Sequence, residues 1–259
     1  MAEKGVRIDI EGAVAVMTVS RPEKLNAFDI DMLKALAGAC DTVEANADIR
    51  VAILTGEGKG FSAGGDIKAW GGMSANDFGH QWVRFGHRVF DRLATLRMPL
   101  IAAMNGHALG GGLELAGAAD IRIAESQIRI GMPETSLGMV PGWSGTQRLV
   151  RRFGAQIVRR MVLGGEIFSA AEALQNGLTD LVVETGTVVS TAKEYAARIA
   201  SRGPAALEIS KLMLAVANGE DNGAAVEALG SILVAKTGDL KEGVAAFSEK
   251  RAAHFTGEW

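Results

Sequence analysis

Leu100–Ala124, LIAAMNGHALGGGLELAGAADIRIA, is the stretch whose reading decides the fold. A short apolar run ends at Asn105-Gly106. Gly110, Gly111 and Gly112 then open a segment with helical spacing, and one carboxylate, Glu114, stands in an otherwise uncharged patch. The pattern predicts a buried strand, a tight turn and a helix beginning at Gly111 or Gly112. Glycines lack a Cβ and allow close backbone approach, and the first N–H groups of such a helix have no internal partner. An end of this kind stabilises an anion or a developing oxyanion. Glu114 follows Gly111 by three residues, about one helical turn, so its carboxylate stands beside whatever those N–H groups hold. Two readings stand: a site, or a strand-to-helix turn with a dipole-favoured glutamate. A nucleotide loop is disfavoured, because no Lys-Ser or Lys-Thr follows the glycines.

Composition narrows the function classes. With 259 residues, 48% hydrophobic and 22% charged, the chain is long enough for a full core, as one large domain or a domain with an appendage. A net charge of −3 without any long Lys/Arg block leaves no footprint for nucleic acid. The single cysteine, Cys40, falls in an apolar pattern and reads as core. The start, MAEKGVR, has no apolar leader stretch and no apolar run is long enough for a bilayer, so the expectation is a cytoplasmic protein without membrane partners.

Working outward, Val6–Ile10 and Ala13–Val19 alternate as a hairpin, and Asp29 caps a helix ending near Asn46. Val51–Thr55 is a short buried strand. Phe61–Lys68, FSAGGDIK, repeats the chemistry of the opening stretch, with Asp66 as a helix cap, so two loops offer two backbone donors. Ser74 and Asp77 form a capping box for a helix running to about Arg97. His80 and His87 lie on it and read as surface or packing residues; no metal site is expected. Strands follow at Asp120–Ala124 and Gln127–Ile130. Pro133 suits a first helical position, and a structural role accounts for Glu134 adequately. Paired with Glu114 across one cleft, however, it suits proton donation together with water activation, with coupled titrations. Gln147–Leu163 is an amphipathic helix with an arginine-rich outer face (Arg148, Arg151, Arg152, Arg159, Arg160). Ser169 opens another capping box, Leu181–Val183 is a strand, and helices follow from 188 onward. The expected organisation is a site-bearing core over 1–187 and a helical region over 188–259.

Five segments, RPEKLNAFD (21–29), FSAGGDIK (61–68), AAMNGHALGGGLELAGAADIRIA (102–124), MPETSLGMVPGWSGTQRL (132–149) and GVAAFSEKRAAHF (243–255), occur in the order found in the crotonase, or enoyl-CoA hydratase/isomerase, superfamily, and the chain resembles that family over nearly its whole length. The resemblance implies an α/β spiral of strand-turn-helix repeats with a C-terminal helical oligomerisation region, assembled as a homotrimer or dimer of trimers. It implies an acyl-CoA thioester substrate, no cofactor beyond the coenzyme A of that substrate, and hydration of a 2-enoyl-CoA. Gly65 and Gly111 match the family's oxyanion-hole donors, and Glu114 and Glu134 its two catalytic glutamates. Lys24, Leu25, Ala63, Asp66, Ile67, Lys68 and Gly142 match the acyl-CoA site, and Lys250 a lysine near the CoA phosphates. Trp143 departs from the pattern, standing where the hydratases tend to carry a small residue. It either reshapes the acyl pocket or packs outward against the helix expected at Gln147–Leu163. Alternative activities on the same fold are an enoyl-CoA isomerase or another acyl-CoA lyase, and, outside enzymes, a CoA-ester binding or RNA-associated scaffold.

Overall fold

The computed structural model describes residues 4–220 and 223–258; the first three residues of the start read above lie outside them. Two compact units divide the chain, Met1–Glu208 and Ile209–Trp259. In the first, the opening alternation forms an antiparallel hairpin of β1 (Gly5–Glu11) and β2 (Val14–Ser20). There follow β3 (Val51–Gly56), β4 (Leu100–Met104), β5 (Ala108–Leu109), β6 (Ile121–Glu125), β7 (Arg129–Gly131), β8 (Ile167–Ser169) and β9 (Leu181–Val183). They sort into a six-stranded sheet, β1-β2-β3-β4-β6-β9, parallel from β2 onward, and a three-stranded sheet, β5-β7-β8.

The sorting is the expected spiral of strand-turn-helix repeats. β4 joins the large sheet, β5 the small one, and the helix Gly111–Ala116 follows; β6 and β7 repeat the step before the short 3-10 turn Glu134–Leu137. Isolated parallel bridges, Ser62 with Ala108 and Phe28 with Gly65, carry the pairing of the small sheet across to the second glycine loop. That lateral stacking sets the Phe61–Asp66 loop beside Gly110 and Gly111.

Period-two alternation gives the large sheet two apolar faces. Met17, Leu54, Ala102 and Met104 pack with Met32, Leu33, Leu36 and Cys40 of the helix Ile30–Ala45. Val16, Ile53, Ile101 and Ala103 pack with Val188, Ala192 and Ala196 of the helix Val188–Ala200. Each such fully buried Leu or Ile side chain contributes about 1.5–3 kcal/mol of transfer free energy. The last strand ends at Val183, and the helix Val188–Ala200, read from the sequence as the start of the helical region, covers a sheet face and lies in the compact unit that ends at Glu208.

Local signals act as read. Asp29 accepts the Met32 N–H at 3.0 Å, Ser74 accepts that of Asp77 at 3.1 Å, and the Ser169–Glu172 capping box is closed on both sides. Three expectations need correction. The helix after Ser74 is not continuous to Arg97: a π-helical turn, Phe78–Val83, separates Ala75–Asp77 from Arg84–Ala94. Its wider turn brings Phe78, Trp82 and Val83 to one cavity wall. The last helical residue is Ala94, with Thr95 as its cap. Gln147–Leu163 is likewise two helices, Arg148–Phe153 and Ala155–Gly164, broken at Gly154 with φ 89°. Arg148 is buried and binds Asp91, and Arg152 donates to the carbonyls of Gly117 and Ala119, so neither belongs to an outer arginine face. Third, Pro133 caps the turn that begins at Glu134 rather than occupying its first helical position.

The second unit is helical, with Ala224–Val234 and Gly238–Glu249 following the end of Pro204–Ala217. Arg251 closes its tail on Glu242 and Glu249. Leu214, Val226, Leu233 and Phe247 stay exposed, Phe247 to 86%. No helix among the described residues is long and apolar enough to cross a membrane.

Candidate active site

The two glycine loops meet at one cavity of about 180 Å³ in the first unit. Gly64, at φ 83°, lies so close to the other loop that a methyl group on it would stand 2.9 Å from the Gly111 nitrogen. Only glycine satisfies both the conformation and the approach. Among the described residues neither the Gly65 nor the Gly111 N–H has an acceptor, and both residues line the cavity.

Both glutamates reach the same space. Glu114, in the first turn of the helix Gly111–Ala116, is 3% exposed, and its Oε1 accepts the N–H groups of Trp143 and Gly145, each at 2.7 Å. Burial pushes its carboxyl up to about 7, and the Glu134 carboxylate adds to the rise against those two N–H groups and the Arg148 charge. Glu134 sits at the start of its 3-10 turn, beside Gly110, and both of its oxygens are buried without a hydrogen-bond partner. Burial raises it as well. Both carboxyl groups are thus raised in one cavity, and charge on Glu134 disfavours charge on Glu114.

Trp143 faces inward. It is 3% exposed, with ring centroids 5.0 Å from Trp82, 5.0 Å from Phe90 and 6.2 Å edge-on from Phe28. Its indole occupies the space over Gly86, where a methyl group would come 2.1 Å from Nε1, and lies against Gly111, where one would come 2.9 Å from Cζ3. Outward packing on the following helix is therefore excluded: the ring forms the floor under Gly65 and Gly111.

Of the other residues singled out in the sequence, Ala63, Ile67 and Gly142 line the cavity. Asp66 caps the turn Ile67–Trp70 through the Lys68 N–H and pairs with Arg21 at 2.8 Å. Leu25 holds the loop by accepting the Ala63 N–H, while Lys24 and Lys68 are exposed beside these turns. Lys250 lies in the second unit, at the left-handed cap of Gly238–Glu249. Sequence reasoning missed Trp70, Phe78 and Leu137 as cavity walls. The aromatic spacing of that region was visible, but it reads equally as a core-facing helix stripe.

The sequence pattern that defines the enoyl-CoA hydratase/isomerase family matches residues 9–258. A short-chain-enoyl-CoA hydratase of Clostridium acetobutylicum is 40% identical over 97% of both chains, and a crotonyl-CoA hydratase of Syntrophomonas wolfei 37% identical over 98% of this chain and 99% of its own. The chain belongs to the enoyl-CoA hydratase/isomerase family. Solved structures agree: an enoyl-CoA hydratase of Bacillus anthracis superposes with a TM-score of 0.79 at 35% identity, covering 98% of this chain and 100% of that one. DspI of Pseudomonas aeruginosa superposes with a TM-score of 0.82 at 32% identity, covering 98% and 97%. The α/β spiral with its C-terminal helical region is thus the fold of this crotonase-type family.

Proposed function

We propose that this member of the family hydrates 2-enoyl-CoA thioesters, adding water reversibly across the 2,3 double bond. The observation that carries the reading is the convergence of two acceptor-free N–H groups and two buried glutamates on one cavity. The Gly65 and Gly111 N–H groups take the thioester oxygen and stabilise the enolate that develops there; one such donor is typically worth about 2.7–4 kcal/mol. A water between Glu114 and Glu134 loses a proton to one carboxylate as its oxygen bonds to C3. The electron pair of the double bond moves to the thioester oxygen, and C2 takes a proton from the other carboxyl. The pair begins and ends with one proton, and the product has gained one water. No cofactor takes part in these steps.

The tryptophan floor limits the acyl group. An apolar protein cavity of about 150 Å³ accommodates a benzene molecule, so about 180 Å³ fits a short acyl chain. The names of the Clostridium and Syntrophomonas relatives support the same range. The exposed apolar side chains of the second unit support assembly as a homotrimer or dimer of trimers.

The test is loss of the conjugated enoyl-thioester absorbance with short, long and cyclic 2-enoyl-CoAs, read together with product mass. Absorbance loss with a gain of one water is expected, fastest for the short chains. Absorbance change at constant mass assigns an isomerase instead.

A further inference from the structure

Ser144 adopts φ 81°, a backbone region that L-residues rarely enter, between the two residues whose N–H groups hold Glu114. Its side chain is buried, and its Oγ lies 3.2 Å from His87 Nε2 and donates to Asp91 Oδ1 at 3.2 Å. Asp91 in turn contacts His87 Nε2 at 3.2 Å and is bound by the buried Arg148 guanidinium. Oγ also lies 3.5 Å from His87 Nδ1, so it is nearer the nitrogen that Asp91 meets. Asp91 accepts directly from Oγ as well as meeting the imidazole, so the cluster of three groups closes on itself instead of forming the linear relay of a serine nucleophile triad.

Its geometry serves the backbone instead. A left-handed residue turns flanking N–H groups into one concavity, the form of an anion-binding nest, and here the Trp143 and Gly145 N–H groups converge on the single Oε1 of Glu114. We infer that Ser144 is a positioning residue: anchored by His87 and Asp91, it holds the strained turn that aims the Glu114 carboxylate into the cavity. Its Oγ contacts are side-chain interactions that glycine, the residue best suited to this φ, does not supply.

Two substitutions separate anchor from turn. Ser144→Ala keeps the Cβ and its strain and removes the anchor; Ser144→Gly removes both. The kinetic part of the test rests on the hydratase reading. Ser144→Ala is expected to lower kcat on the order of tenfold with KM within about twofold, because the interaction acts on the reacting geometry rather than on thioester binding. Ser144→Gly is expected to fall between Ser144→Ala and the parent. A second readout is independent of activity: carboxyl carbon NMR of the Glu114 titration. The charged groups around that carboxyl are Glu134 and Arg148. Loosening the two N–H bonds, which favour the carboxylate, moves the titration upward, by about half a pH unit or more in Ser144→Ala. An unchanged titration in folded Ser144→Ala and Ser144→Gly overturns the inference, as does a raised KM at parental kcat. A shifted titration in a protein inactive on every enoyl-CoA sustains it and removes the hydratase reading alone.

Discussion

Replacing Glu114 by glutamine tests the electrostatics of the site without requiring turnover. The carboxyl rises from an ordinary 4.5 to about 7 on folding, chiefly through burial. Between those values the folded protein holds a proton that the unfolded chain has released, so folding takes up a proton and stability falls as pH increases. The fall begins near the unfolded value and levels off above the folded one. About 2.5 pH units at 1.36 kcal/mol each amount to about 3 kcal/mol. Glutamine has no proton to lose in this range, and its amide oxygen can keep both backbone N–H groups as donors. The advantage of Glu114→Gln over the parent therefore opens from about pH 4.5 and reaches about 3 kcal/mol by pH 8. For a chain of this length that corresponds to about 6–12 °C in thermal midpoint. Any fixed effect of the amide is independent of pH, so the difference between the two unfolding curves, measured by urea or heat from pH 5 to 8.5, isolates the titration. A difference constant across that range refutes the buried, proton-holding carboxyl.

Further outcomes follow from the same geometry. Glu134→Gln keeps the shape of the cavity and removes proton transfer, so kcat for hydration is expected to drop about 10²–10⁴-fold with acyl-CoA binding by calorimetry largely kept; near-parental turnover would take Glu134 out of the chemistry. Trp143→Ala empties the space under Gly65 and Gly111 and is expected to destabilise the fold by about 3–5 kcal/mol in urea unfolding. In the same variant the ratio of kcat/KM for long over short 2-enoyl-CoAs is expected to rise, and an unchanged ratio would remove the indole from substrate selection. Gly86→Ala drives a methyl group into that indole and is expected to disturb turnover from a position outside the cavity lining, read as a lowered kcat in a protein that still unfolds cooperatively.

Much of this molecule follows from short-range rules. The caps at Asp29, Ser74 and Ser169 form because a side-chain oxygen satisfies an N–H group within three residues. The alternation in β2 to β4 fixes two buried sheet faces because successive side chains point opposite ways. Gly111 and Glu114 share a site because one helical turn places them together, and the glycine loops are legible because close backbone approach requires the missing Cβ. The second loop, Phe61–Lys68, was legible from its own small residues, and the five ordered segments supplied the family and, through it, Gly65 as the position matching a donor.

What the tertiary structure alone decided concerns residues whose surroundings come from distant parts of the chain. Trp143 turns inward because Gly86, on another helix, leaves room for its indole. Arg148 is buried against Asp91, and Ser144 is held in a left-handed turn by His87 and Asp91 from a helix more than fifty residues earlier. Periodicity assigns a residue to a face of its own element, but which face is covered, and by what, depends on packing between elements. Sequence thus determined the elements, their caps and the chemistry of the loops. The direction of the tryptophan, the size of the cavity and the raised Glu114 carboxyl were decided by long-range contacts, because burial and electrostatic coupling act through space rather than along the chain.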